Sequence, residues 1–137
     1  LGQKINADVI RGLIGANDRE ALAPLLQVLF ADPSHVTDEM LGRLVAHKRR
    51  AGATEALAKI ASSRYAGTPS GRQLRDVVGT VPTLMIWGVA DRMIPAPAPG
   101  EIVRPGVLIR VLPRAGHMVQ VEAADAFNEL VANFLRG

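Results

Sequence analysis

Two apolar runs set the limits on what this chain can become. Residues 83–87, TLMIW, and residues 106–112, GVLIRVL, are close to continuously hydrophobic rather than alternating. A strand with one wet face alternates, whereas a strand covered on both faces does not. The runs are therefore read as buried strands over 83–87 and 107–112. The connection between them, residues 88–106, is far too long for a hairpin, which makes the strands parallel neighbours. Two strands make a poor sheet on their own. The sheet is thus expected to be completed by a segment that this sequence does not contain, and the start at LGQKIN, without Met, is read as that of a piece of a longer protein.

Everything before residue 82 carries the helical period. In DREALAPLLQVLFA, 18–31, apolar residues at 21, 22, 25, 26, 28, 29 and 30 make one broad face, Asp18 is placed to cap the start, and ADPS, 31–34, stops it. In residues 37–50, Thr37 caps, an acidic first turn follows, Met40, Leu41, Leu44 and Val45 form the stripe, and HKRR with Gly52 closes. Residues 54–65 predict a third helix with Ala56, Leu57, Ile60 and Ala61 buried, and 5–16 a weaker one. A loop at 66–71 leads to a short amphipathic helix at 72–78. The last helix is predicted over 121–135, with Ala124, Phe127, Leu130, Val131 and Phe134 facing inward. The proline-rich PAPAPG, 95–100, opposes helix, so the connection over 96–106 is expected to hold a short helix or none. The fold class is α/β, divided into a helical region over 1–71 and a strand-containing region over 72–137.

Composition narrows the function classes. The 137 residues are 48% hydrophobic but only 4% aromatic, so a core must be built from Leu, Val, Ile and Ala. There is no cysteine, which excludes disulfides and thiolate metal sites and fits a cytoplasmic protein. The three histidines, His35, His47 and His117, are not spaced as metal ligands. The net charge of +3 is mild. The basic cluster HKRR falls at a helix end, where it offsets the dipole; the competing reading is phosphate or nucleic-acid binding. No aromatic residues interleave with these bases, so no nucleic-acid partner is expected. No apolar run approaches the roughly 18 residues of a membrane span, so no membrane partner is expected, and no signal peptide is visible.

Chemistry concentrates after the two strands. In parallel sheets, functional residues gather on loops beyond the strand C-termini. Asp91 follows the first strand and His117 the second, so both emerge at one end of neighbouring strands. A carboxylate beside an imidazole fixes its tautomer and stabilises the imidazolium formed during proton transfer. Alone, Asp91 could serve an Asx turn or a helix cap, and His117 could be a turn residue bonded to backbone. Their placement after adjacent strands favours the pair. Met118 and Trp87 are candidate pocket residues.

These stretches, PTLMIWGVADRMIP and LPRAGHMVQVEAADAFNELVANFL, resemble the closing strands of the α/β-hydrolase fold. In that family a G-x-x-D-x-x-x-P stretch, here Gly88, Asp91 and Pro95, carries the triad acid, and a G-H pair, here Gly116 and His117, the triad base. The resemblance implies that the helical half is the cap inserted before these strands. LFADP and GHMVQ-E further resemble the dihydrolipoamide acetyltransferase components of bacterial acetoin dehydrogenase complexes. That likeness implies acetyl transfer to coenzyme A from a lipoyl group on a separate domain, and partners among the other subunits of a dehydrogenase complex.

The family's nucleophile sits on a G-x-S-x-G elbow. None occurs here. The serines are Ser34, Ser62, Ser63 and Ser70, and GTPSG around Ser70 has the wrong spacing and no preceding strand. No oxyanion loop of the H-G-G type is present either. The chain alone is therefore expected to be inactive, with acid and base awaiting a nucleophile from the rest of the parent. Three readings follow: an acyltransferase; a hydrolase of esters or carbon–carbon bonds; and a non-catalytic helical interaction domain. Buried-type strands left at open edges also predict self-association.

Overall fold

The computed structural model describes residues 6–65, 78 and 80–137. The loop expected at 66–71, with Ser70, lies outside them, as does the helix expected at 72–78 except its last residue. That residue, Val78, forms an isolated parallel bridge with Val81.

Four helices come first. Helix α1 spans Ala7–Gly15 and α2 Arg19–Gln27, capped by the side chains of Asn6 and Asp18, which accept from the N–H groups of Val9 and Ala21. Helix α2 contains Pro24 and ends earlier than its apolar period suggests. The cause is tertiary: the Arg92 guanidinium donates to the carbonyls of Gln27 at 2.6 Å and Phe30 at 2.8 Å, fixing the chain as it leaves the helix. A 3-10 turn follows at Pro33–His35. Helix α3, Asp38–Lys48, starts at Thr37, whose hydroxyl accepts from the Met40 N–H as expected. Helix α4 spans Ala53–Tyr65.

Strand β1, Thr83–Gly88, pairs in parallel with β2, Val107–Leu112, in a register running from Thr83 opposite Val107 to Gly88 opposite Leu112. Both strands and their parallel sense match the sequence reading. Their connection holds no helix. The chain closes with α5, Val119–Glu122, and α6, Ala124–Arg136. The single helix expected at 121–135 thus starts earlier and is broken at Ala123, whose φ of −131° and ψ of 45° leave the helical region.

The core sits between α2 and α3, where Leu22, Leu26, Leu41 and Val45 are buried together. Helix α4 departs from expectation. Ala56, Leu57 and Ile60 are exposed and Ala61 is only half-buried, because this face meets a cavity of about 380 Å³ walled also by Ile10, Leu13 and Leu44 rather than a close-packed neighbour. The strands depart likewise. Residues 83–87 are half-buried, and Leu108 and Val111 on β2 are exposed, since the described residues supply no third strand and no helix over 96–106. Phe127, Leu130, Val131 and Phe134 are half-buried for the same reason, and Ala124 is exposed. Among the described residues, no helix is long and apolar enough to cross a membrane.

Candidate active site

The parallel register brings the ends of β1 and β2 level, so the loops that follow leave side by side. The Val89 and Ala90 N–H groups donate to the carbonyls of Leu112 and Ala115, at 3.0 and 2.9 Å, and stitch these loops together. The approach is so close that glycine is required. A Cβ at Gly88 would lie 2.2 Å from the Gly116 carbonyl oxygen and 2.3 Å from that of Ala115. A Cβ at Gly116 would lie 2.7 Å from the Ala31 nitrogen. Both glycines of the G-x-x-D and G-H motifs are thus explained by crowding, with backbone on the other side in each case.

Asp91 is 8% exposed. Its Oδ1 accepts from the N–H groups of Met93 and Ile94 at 2.8 and 2.9 Å, closing an Asx turn. Its Oδ2 lies 2.9 Å from His117 Nδ1. Asp91 thus closes the turn with one oxygen and contacts the imidazole with the other. Trp87 braces the same loop, its indole N–H donating to the Ile94 carbonyl at 3.0 Å. Its polar edge is committed to this loop.

His117 is held from the backbone as well. Its N–H and that of Met118 both donate to the Leu29 carbonyl, at 2.8 and 3.2 Å. With Nδ1 toward Asp91, the ring is oriented and one-third exposed, and Nε2 makes no hydrogen bond to a described residue. In the tautomer that donates from Nδ1, Nε2 presents a lone pair. Such an arrangement can take up a proton and return it. Met118 is half-buried beside it, its sulfur 3.9 Å from the Gln120 amide nitrogen.

The structure adds residues that the sequence reading passed over. Arg92 ties the acid loop to the end of α2, as described above. Glu122 accepts from three backbone N–H groups: Ala31, Asp32 and Gly116. A lone carboxylate in the apolar run VQVEAA, and a lone guanidinium in DRMIP, are the signals that would have drawn attention to them. At Lys48, the basic cluster turns inward: Nζ donates to the Leu13 and Ile14 carbonyls that end α1. Beside the Glu122 contact, the Asp32 carboxyl is held below its usual range, chiefly by the Ser34 backbone N–H and also by its hydroxyl. His35 stacks on Phe30, with ring centres 5.6 Å apart. Among the described residues, no group of three His, Cys, Asp or Glu side chains is placed to hold a metal ion.

No family model matches the chain. It is, however, similar over nearly all its length to known proteins. A meta-cleavage product hydrolase from Pseudomonas fluorescens IP01 superposes with a TM-score of 0.71 at 23% identity, over 99% of this chain and 51% of that one. The chain is part of an α/β-hydrolase fold. The dihydrolipoyllysine-residue acetyltransferase component of the acetoin cleaving system from Pseudomonas putida is 41% identical over 136 residues, 99% of this chain and 36% of that protein. A 2-hydroxy-6-oxononadienedioate/2-hydroxy-6-oxononatrienedioate hydrolase from Cupriavidus pinatubonensis is 31% identical over 93% of this chain and 45% of its own length. The α/β-hydrolase part described here thus spans a little over a third of the acetyltransferase component.

Proposed function

We propose that this chain supplies the acid–base half of an acyl-transfer site, with Asp91 orienting His117 and the nucleophile contributed by the rest of the parent protein. The observation that carries the reading is the 2.9 Å contact between Asp91 Oδ2 and His117 Nδ1 at the C-terminal ends of adjacent parallel strands. His117 Nε2 takes the proton of the nucleophile as it attacks an acetyl thioester. It returns that proton to the departing thiol of dihydrolipoamide, leaving an acyl-enzyme. A second thiol, that of coenzyme A, then gives its proton to Nε2 as it attacks. The acetyl group leaves on coenzyme A and the proton returns to the nucleophile. The similarity to a dihydrolipoyllysine-residue acetyltransferase component of an acetoin cleaving system supports acetyl transfer and a place among the components of such a system. The lipoyl group and coenzyme A act as substrates, the former on a separate domain. By itself the chain turns over neither thioester nor ester.

A second reading rests on the similarity to a 2-hydroxy-6-oxononadienedioate/2-hydroxy-6-oxononatrienedioate hydrolase. With water in place of the second thiol, the same pair performs hydrolysis. The test follows acetyl transfer from acetyl-dihydrolipoamide to coenzyme A and to water in the complete protein and in its His117→Ala variant. Transfer to coenzyme A that collapses by orders of magnitude in the variant is the expected result. Transfer to water alone moves the protein to the hydrolases. Turnover indifferent to His117 removes both readings and leaves a non-catalytic domain.

A further inference from the structure

The acid holds the imidazole at one atom only, and a single contact leaves a ring free to swing about it. The backbone of His117 has to be fixed independently if Nε2 is to meet a reacting group. Two contacts do this. On one side the Leu29 carbonyl accepts from the His117 and Met118 N–H groups. On the other, Glu122 Oε2 accepts from the Gly116 N–H at 2.6 Å, one residue before the histidine. The other oxygen, Oε1, accepts from Ala31 at 2.6 Å and from Asp32 at 3.2 Å, two and three residues after Leu29. The same helical-layer segment therefore grips the histidine loop twice, once by its own carbonyl and once through Glu122.

The chemistry of the joint selects a carboxylate. Three N–H donors converge on two oxygens, and an ionised carboxyl group offers acceptors and no donors. Charge-assisted bonds of this kind are short and stronger than neutral ones. A glutamine of the same shape would point its NH2 at the Gly116 N–H or at those of Ala31 and Asp32, and release one side. The side chain is half-buried, so water cannot freely replace it. The absence of a Cβ at Gly116 lets segment 29–31 come within reach in the first place.

We infer that Glu122 is a positioning residue for His117, clamping the base loop to the helical layer so that docking of that layer sets the place of Nε2. The inference rests on the acid–base reading of Asp91 and His117. It goes beyond that reading in making the base dependent on segment 29–32. The experiment compares the complete protein with Glu122→Gln and, in parallel, His117→Ala, under the acetyl-transfer assay. Glu122→Gln is expected to lower kcat about 10- to 100-fold per folded molecule, as a misplacement on the order of 1 Å does, with KM for the acyl donor little changed. Imidazole nitrogen NMR on the same variant should show the Nδ1-protonated tautomer less populated. Unchanged kcat and an unchanged tautomer population, or a loss that only follows the fraction unfolded, overturns the inference. Should Glu122→Gln fail to fold, Glu122→Asp, too short to reach both sides, is read by the same criteria. If His117→Ala remains active, the acid–base reading fails instead, and faster exchange of the Gly116 and Ala31 amide protons in Glu122→Gln still decides whether the clamp exists.

Discussion

Asp91 divides its two carboxylate oxygens between a turn and an imidazole. Oδ1 satisfies the Met93 and Ile94 N–H groups, and Oδ2 addresses the imidazole. The two duties can be separated by substitution. Asparagine keeps a carbonyl oxygen for the turn but places an NH2 opposite His117 Nδ1. That amide can only donate, so it demands an acceptor at Nδ1 and moves the ring proton to Nε2, the wrong tautomer for a base. Asp91→Asn in the complete protein is therefore expected to lower kcat by roughly 10³- to 10⁴-fold, the scale of tautomer loss in a serine-type triad, while stability changes little. Alanine strands the Met93 and Ile94 N–H groups as well and should cost about 1–3 kcal/mol on top. Rates measured beside urea unfolding of both variants make the check. If asparagine destabilises the fold as much as alanine does and spares the rate, Asp91 is a turn residue alone.

Helices were legible from sequence where a local rule governed them, and less so where a distant partner did. Asp18 and Thr37 cap as their positions predict, because capping is settled within four residues. The end of α2 was not legible, since Arg92, far along the chain, sets it. Nor was the break before α6: it falls directly after Glu122, whose carboxylate is committed outside its own helix. The apolar period of α4 gave its helix correctly and its burial wrongly, as periodicity reports which residues share a face and not what covers it. Lys48 belongs to the same class. Its position at a helix end suggested a dipole partner for α3, yet its Nζ lies 2.6 and 2.9 Å from the Leu13 and Ile14 carbonyls of α1, and the residue is 7% exposed. Helix α1 leaves its last carbonyls unpaired by its own backbone, and Lys48 supplies the missing donors. Lys48→Met preserves length and bulk but removes both bonds. Burying a methionine is favourable, but two half-buried carbonyls without partners outweigh it. The midpoint of urea unfolding should fall by the equivalent of about 1–3 kcal/mol at constant slope. An unchanged or raised midpoint would mean that desolvating the ammonium already cancels its bonds.

The molecule as a whole carries a site in better order than its sheet. The loops bearing Asp91 and His117 are tied to each other and to the helical layer, whereas the strands beneath them are half-covered. The motif residues could be read from sequence because their chemistry is local to two strand ends. What covers the sheet could not, because an apolar run reports that a strand can be buried and not what buries it. That imbalance has a consequence in solution. Leu108 is 46% exposed, Val111 40% and Val103 81%, all on or beside β2. Of the two edges of β2, only the one facing β1 is paired among the described residues. An open edge beside apolar side chains is a template for another strand, and the net charge of +3 is small opposition to it. The 137-residue chain is expected to self-associate through this edge. Sedimentation velocity over a wide concentration range should show a species heavier than 14.6 kDa growing with concentration. Leu108→Lys places a charge where the approaching strand would pack, and should return the chain toward monomer without touching the Asp91–His117 contact. A chain that stays monomeric throughout would show that the segment 96–106, whose Pro97, Pro99 and Ile102 line a pocket together with Val107, Ile109 and Val111, already shields it.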